Sequence, residues 1–183
     1  MSDPNISGQA YALMVWTPIV PGRERSLQDT LQAFPEGEAS PLAKLGSTHF
    51  ARWIVLSSLH YQGPPQQQDH LKNAYLLFVS NFDGAVEEYL RSMARTIPVE
   101  VDAIWSHCAG YPGSQNIPGF ASYLRKNQID TTFFVSAYPE ATVADVRESL
   151  ALRTSLLDFA VEYQGADDAV LQAAFLDRFV GVS

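Results

Sequence analysis

The sequence predicts an α+β fold: a four-stranded antiparallel sheet with helices on one face and additional helices at the C-terminal end. Three observations predict it. Four short runs rich in β-branched and aromatic residues lie between positions 10 and 140. Apolar stripes of helical period fall between and after them. The order reads strand, helix, two strands in succession, helices, strand, then helices to the end.

Each element has its own justification. Residues 1–8 read as a loose arm. Tyr11 to Thr17 forms the first strand, apolar on both sides and stopped by Pro18 and Pro21-Gly22. A helix over about 23–34 places Leu27, Leu31 and Phe34 on one stripe. Residues 35–47 form a loop, and 49–59 form the second strand. The polar stretch 60–73, with Pro64-Pro65 and a glutamine run, is a long loop at a hairpin tip. The third strand is 75–82. Asp83 is expected to cap the next helix by accepting from its first-turn amides, with Val86, Tyr89, Leu90, Met93 and Ile97 facing inward. Pro98 breaks that helix. Val101, Ile104, Trp105 and Cys108 then make a short helical face, 110–119 is turn-rich, and 120–127 is one more short helix. Thr131 to Tyr138 is the expected fourth strand. Thr142 with Asp145 resembles a capping box, opening a long helix to about Tyr163 with Val143, Val146, Leu150, Leu157 and Ala160 inside. A last helix runs from Asp167-Asp168 to about Val180. The expected organisation is a single domain over 1–183, with a core at 10–140 and a helical extension at 142–183. The first six elements follow the split β-α-β order of ferredoxin-like folds.

A sheet with water on one side alternates polar and apolar residues, and these strands do not. Tyr11, Leu13 and Val15 oppose Ala12, Met14 and Trp16; Tyr75, Leu77 and Val79 oppose Ala74, Leu76 and Phe78. Something is expected to cover the second face: a second copy of the sheet, the C-terminal helices, or a bound apolar ligand. A homodimer through the sheet face is the expected arrangement.

Composition narrows the function. With 12 basic against 20 acidic residues the net charge is −8, which disfavours nucleic acid and anionic membranes. The single cysteine, Cys108, cannot form an intrachain disulfide and fits a cytoplasmic location. No stretch reaches the ~20 apolar residues of a membrane span, and the N-terminus lacks the basic region of a signal peptide. No phosphate-binding glycine loop, dinucleotide fingerprint, nucleophile elbow or aromatic RNA-binding signature is present.

In element order and two-sided strands over residues 10–140, the chain resembles the dimeric α+β barrel superfamily, which includes small monooxygenases, chlorite dismutase and dye-decolorising peroxidases. The segments His49-Phe50-Ala51-Arg52-Trp53, Ser80-Asn81-Phe82-Asp83-Gly84 and His107-Cys108-Ala109-Gly110-Tyr111-Pro112 look like those of uncharacterised bacterial members. The resemblance implies a dimer with a site at the sheet face, and heme as a candidate cofactor.

The candidate site residues follow. Arg52 interrupts an apolar strand and shares a face with Phe50, Ile54 and Leu56. It reads as an anchor for a carboxylate or propionate, or else as half of a structural ion pair or an arginine at the sheet edge. His107 is a candidate axial ligand, metal ligand or general base, or a cap on a helix C-terminus. Arg52 and His107 form the candidate catalytic pair. Arg52, His107, His49, Asn81 and Tyr111 form the candidate cofactor-binding set. Asn81 and Asp83 also suit turn and cap chemistry. Cys108 completes an apolar stripe and reads as core. Tyr11, Tyr75 and Tyr138 suit either core or pocket. No metal site is expected; His60, Asp69 and His70 would make one only if their loop folded back. The expected function is a small-molecule-binding domain for an apolar anionic ligand, such as heme or a fatty or aromatic acid, with oxidoreductase chemistry attached. The alternatives are a non-enzymatic dimerisation or accessory domain and a cofactor-independent monooxygenase.

Overall fold

Three nine-residue strands from the apolar runs, with a two-residue strand at one edge, build the sheet. β1 is Ile6–Ser7, β2 Ala10–Pro18, β3 Thr48–Leu56 and β4 Tyr75–Asp83. They lie side by side in the order β1-β2-β4-β3, every pair antiparallel. The computed structural model describes residues 3–59, 61–67 and 71–181. Among these the helices are α1 Glu24–Gln32, α2 Val86–Thr96, α3 Pro98–Trp105, α4 Ile117–Lys126, α5 Val143–Glu162 and α6 Asp168–Phe175, with a π-helical turn at Leu176–Val180. The expected α+β class is therefore observed, with the added C-terminal helices. The chain divides into two units, Met1–Val143 and Ala144–Ser183.

The period of two along each strand sorts side chains onto two faces. Leu13, Val15, Leu76, Phe78 and Phe82 share one face and are at most 1% exposed. Against them pack Tyr89, Leu90 and Met93 of α2, Val101 and Trp105 of α3, and Phe120 and Leu124 of α4, in one continuous core. Trp105 sits at its centre, edge-on to Phe78 at 5.4 Å, Phe120 at 5.7 Å and Trp53 at 6.5 Å. Pro98 stands in the first turn of α3, where its missing N–H breaks no helical bond.

Three expectations need correction. The segment Thr131 to Tyr138 is not a strand. The β2 edge it would need is already occupied: Asn5 accepts from the Ala12 amide at 2.8 Å, and Asn127 and Ile129 bond Trp16 and Met14 at 2.9 and 2.8 Å. The segment is held instead by two side chains, the Asn5 carbonyl accepting from the Thr131 amide and the Ser7 hydroxyl from the Ser136 amide. Phe133, Val135 and Tyr138 are consequently 81%, 66% and 78% exposed; strand propensity describes fitness for a pleated surface and does not by itself create a partner. The supposed N-terminal arm, in turn, contributes β1 and a buried Asn5. Gly8, with φ +61°, turns the chain between β1 and β2 so close to the Pro139 carbonyl that a Cβ there would collide with it.

The third correction concerns Asp83. Helix α2 begins at Val86 after Ala85, with no side-chain cap. The Asp83 carboxylate turns to other donors, the His49 ring at 2.7 Å and the Val143 amide at 2.7 Å. It thus accepts from the Val143 amide rather than from the first turn of α2.

In the second unit, Phe159 is buried among Tyr163, Phe175 and Phe179. Arg178 lies over the Phe159 and Tyr163 rings and bonds Glu162 at 2.7 Å. Val146, Leu150 and Leu157, expected inside α5, are 45%, 54% and 56% exposed. The apolar residues of α5 are interspersed with charged ones around the helix, so they form no single inward stripe.

Candidate functional site

The second face of the sheet is the first candidate. Met14, Trp16, Leu77 and Val79 are half-buried there, while Phe50 and Ile54 are 75% and 42% exposed. Register fixes who neighbours whom. Phe50 lies opposite Asn81 and Arg52 opposite Val79 on adjacent strands, so these four positions form one square on one face. They surround a shallow recess of about 380 Å³. Arg52 is exposed. Among the described residues neither its guanidinium nor the Asn81 carboxamide has a partner. The structural ion pair considered for Arg52 is therefore not formed there. Two of the five candidate residues, Arg52 and Asn81, come together.

The other three stand apart from that recess. His49 occupies a bulge, at the register shift between Thr48 and Phe50, and its ring is tied to Asp83. His107 follows α3, its Nδ1 at 3.3 Å from the Ile104 carbonyl, in the place of a helix C-terminal partner. Tyr111 donates to the Asp102 carboxylate at 2.6 Å and packs edge-on against Phe120 and Tyr123.

That Asp102 contact belongs to a network the sequence reading missed. Ser114, 1% exposed, gives Asp102 both its amide at 2.9 Å and its hydroxyl at 2.8 Å. Burial pushes the Asp102 carboxyl up, but the bonds from Tyr111 and Ser114 outweigh it and hold the group below the ordinary value. Burial also raises the Tyr111 phenol, and its bond to Asp102 raises it further. The network fastens the 110–114 turn to α3. Its signal in the sequence was an aspartate in a short helix beside a turn-rich loop.

Cys108 is buried and accepts from the Thr17 hydroxyl at 3.3 Å. Burial pushes its thiol up to about 11, Thr17 opposing only in part. It is a packing residue. Tyr11, buried at 2%, stacks on Phe82, and its hydroxyl accepts from Arg125 and Gln128. Tyr75 meets Trp16 edge-on at 5.5 Å. A further hydroxyl cluster, Tyr89 with Thr48 at 3.0 Å and Ser80 at 2.9 Å, lies inside the core. His60, Asp69 and His70 lie outside the described residues. Among the described residues no cluster of three or more metal-ligating side chains is present, and no helix is long and apolar enough to cross a membrane.

A second recess, of about 530 Å³, opens between α1, the 35–41 loop, β3 and the α2–α3 pair. Trp53, Phe34, Met93 and Trp105 line it together with Glu36 and Glu100. The indole N–H groups of Trp53 and Trp105 are buried and meet no acceptor among the described residues. This recess was not legible in the sequence, because its walls come from elements distant in the chain.

Heme needs an axial ligand and partners for two propionates. Among the described residues, the larger recess is lined by two carboxylates and by no histidine or basic residue. The smaller one has Arg52 but, among the described residues, no histidine. The described residues of the two recesses do not fit a heme.

The chain matches no protein-family model, and no match is found among curated proteins or solved structures. The function must therefore be argued from the two recesses.

Proposed function

We propose that this protein is a small-molecule-binding domain whose open sheet face takes an apolar molecule bearing a carboxylate, such as a fatty or aromatic acid. One observation carries the reading: an exposed guanidinium and a neighbouring carboxamide, both without partners among the described residues, sit in an otherwise apolar sheet face. Arginine presents a planar fork that matches both oxygens of a carboxylate. Asn81 offers a third donor beside it. The apolar body of the ligand lies along Val79, Leu77 and Ile54 toward Trp16.

The magnitudes make this a modest site. Burying about 150–200 Å² of apolar ligand surface contributes roughly 4–5 kcal/mol at about 25 cal/mol per Å². An exposed charge pair adds only about 1 kcal/mol. The two together come to about 6 kcal/mol before the cost of association, so affinities of about a millimolar or weaker follow.

A second copy of the chain laid on the same face closes the site, as in the dimeric α+β barrels the sequence resembles. Strands ~4.8 Å apart with same-face residues ~6.8 Å apart give the face roughly 400 Å². That is about half the ~800 Å² per partner of a standard stable interface, so a bound ligand strengthens the pairing.

Calorimetric titration with decanoate and 1-naphthoate tests the reading. Both acids bind, their uncharged amides bind less tightly, and Arg52→Gln weakens the acids about five- to tenfold while leaving the amides unchanged. Equal affinity of Arg52→Gln and the wild type for the acids contradicts it.

A further inference from the structure

We propose that the recess between α1, the 35–41 loop and α3 is a second, separate binding site, and that it takes a small arylalkylamine in its ammonium form. Its size suits a molecule of one or two rings: about 530 Å³ falls within the range of small-molecule sites. Its wall is aromatic. Half-buried Trp53 stacks on Phe78 at 5.1 Å and lines the recess, and wholly buried Trp105 backs it edge-on. Its charge has one sign. Among the described residues, Glu36 and Glu100 are the only ionisable side chains lining it, and no lysine, arginine or histidine does so.

An indole beside carboxylates is the combination that favours an organic cation, held by the ring face and by ion pairing together. Glu100 is 22% exposed, and Lys44 reaches it at 3.5 Å from a position itself 56% exposed. Such a loose surface pair is weak, and a ligand ammonium replaces it. The same carboxylates repel the acids proposed for the sheet face, so the two sites select ligands of opposite charge. This inference does not rest on the reading of Arg52.

The test uses three molecules of nearly one shape: 2-phenylethylamine, 2-phenylethanol and phenylacetate. In Trp16→Phe, the indole emission comes from Trp53 and Trp105 alone. The amine is expected to change that emission saturably, at least tenfold tighter than the alcohol, with no saturation by phenylacetate. Glu100→Gln is expected to weaken the amine at least fivefold while leaving the alcohol unchanged; Glu36→Gln, at an exposed position, provides a second variant should the first prove unstable. Arg52→Gln leaves amine binding intact. The proposal is overturned if amine and alcohol bind equally, if neither glutamate variant affects the amine, if no saturable change occurs, or if the amine depends on Arg52 instead. Loss of acid binding at the sheet face leaves it standing.

Discussion

Replacing Asp102 tests how the α3–turn network holds the core-side loop. Its carboxylate accepts three hydrogen bonds, from the Tyr111 hydroxyl and from the amide and hydroxyl of Ser114. A hydrogen bond to a charged group is worth about 1.5–3 kcal/mol, and a buried donor left unmet costs about 1–3 kcal/mol. Ser114 is 1% exposed, so water does not reach its donors readily. The three bonds share one acceptor group and do not add, so Asp102→Ala is expected to cost about 3–5 kcal/mol. Asp102→Asn retains two acceptor contacts and one reversed bond, and is expected to cost about 1–2 kcal/mol. Urea unfolding measures both as shifts of the midpoint at constant slope. The pH dependence adds an independent readout. The folded carboxyl titrates below its unfolded value, so its stabilisation is complete above the unfolded pKa of about 3.9 and is lost as pH falls through the folded value. The advantage of wild type over Asp102→Asn therefore shrinks below about pH 4. A cost under about 1 kcal/mol for Asp102→Ala would refute the reasoning, as would an advantage over Asn unchanged at low pH.

Other outcomes follow from single contacts. Cys108, its thiol pushed up to about 11, is expected to resist a disulfide reagent at pH 8 in the native protein and to react once unfolded; rapid stoichiometric labelling of the native chain contradicts its placement. Gly8→Ala forces a Cβ toward the Pro139 carbonyl at φ +61°, and is expected to lower stability by about 1–3 kcal/mol, read by thermal unfolding. Tyr89→Phe strips the shared partner of Thr48 and Ser80 while keeping the ring stacked on Phe82 at 3.7 Å; a loss of about 1–2 kcal/mol is expected. Ligand-linked pairing predicts that decanoate raises the dimer fraction in sedimentation, and that Arg52→Gln blunts the rise.

Much of the fold was legible because burial and periodicity agreed. Leu13, Val15, Leu76 and Phe78 alternate cleanly, and Val86, Tyr89, Leu90 and Met93 repeat at helical spacing; all are buried at 4% or less. The misassigned strand shows where local pattern fails. Thr131 to Tyr138 has strand composition, but Asn5 to Ser7 and Asn127 to Ile129 hold the only edge it needs, and edge occupancy is not written in a local window. Asp83 misled for a related reason: it had the chemistry of a cap, and the competing donors, His49 and the Val143 amide, are distant in sequence. At the site, Arg52 was legible as a charge interrupting an apolar strand and Asn81 as a polar residue near a strand end, and the ladder brings them together. The Trp53–Glu100 recess was not, since only the packed chain assembles its walls.

The central claim is that Arg52 and Asn81 act together as a carboxylate anchor on the open sheet face. Side-chain ¹⁵N spectra of the Arg52 Nε–H and the Asn81 amide during a decanoate titration test it most directly. The account predicts saturable shifts of both signals, with Leu77 and Ile54 methyl shifts following the same curve and all of them vanishing in Arg52→Gln. Decanoate that binds while the Arg52 and Asn81 signals stay fixed contradicts it.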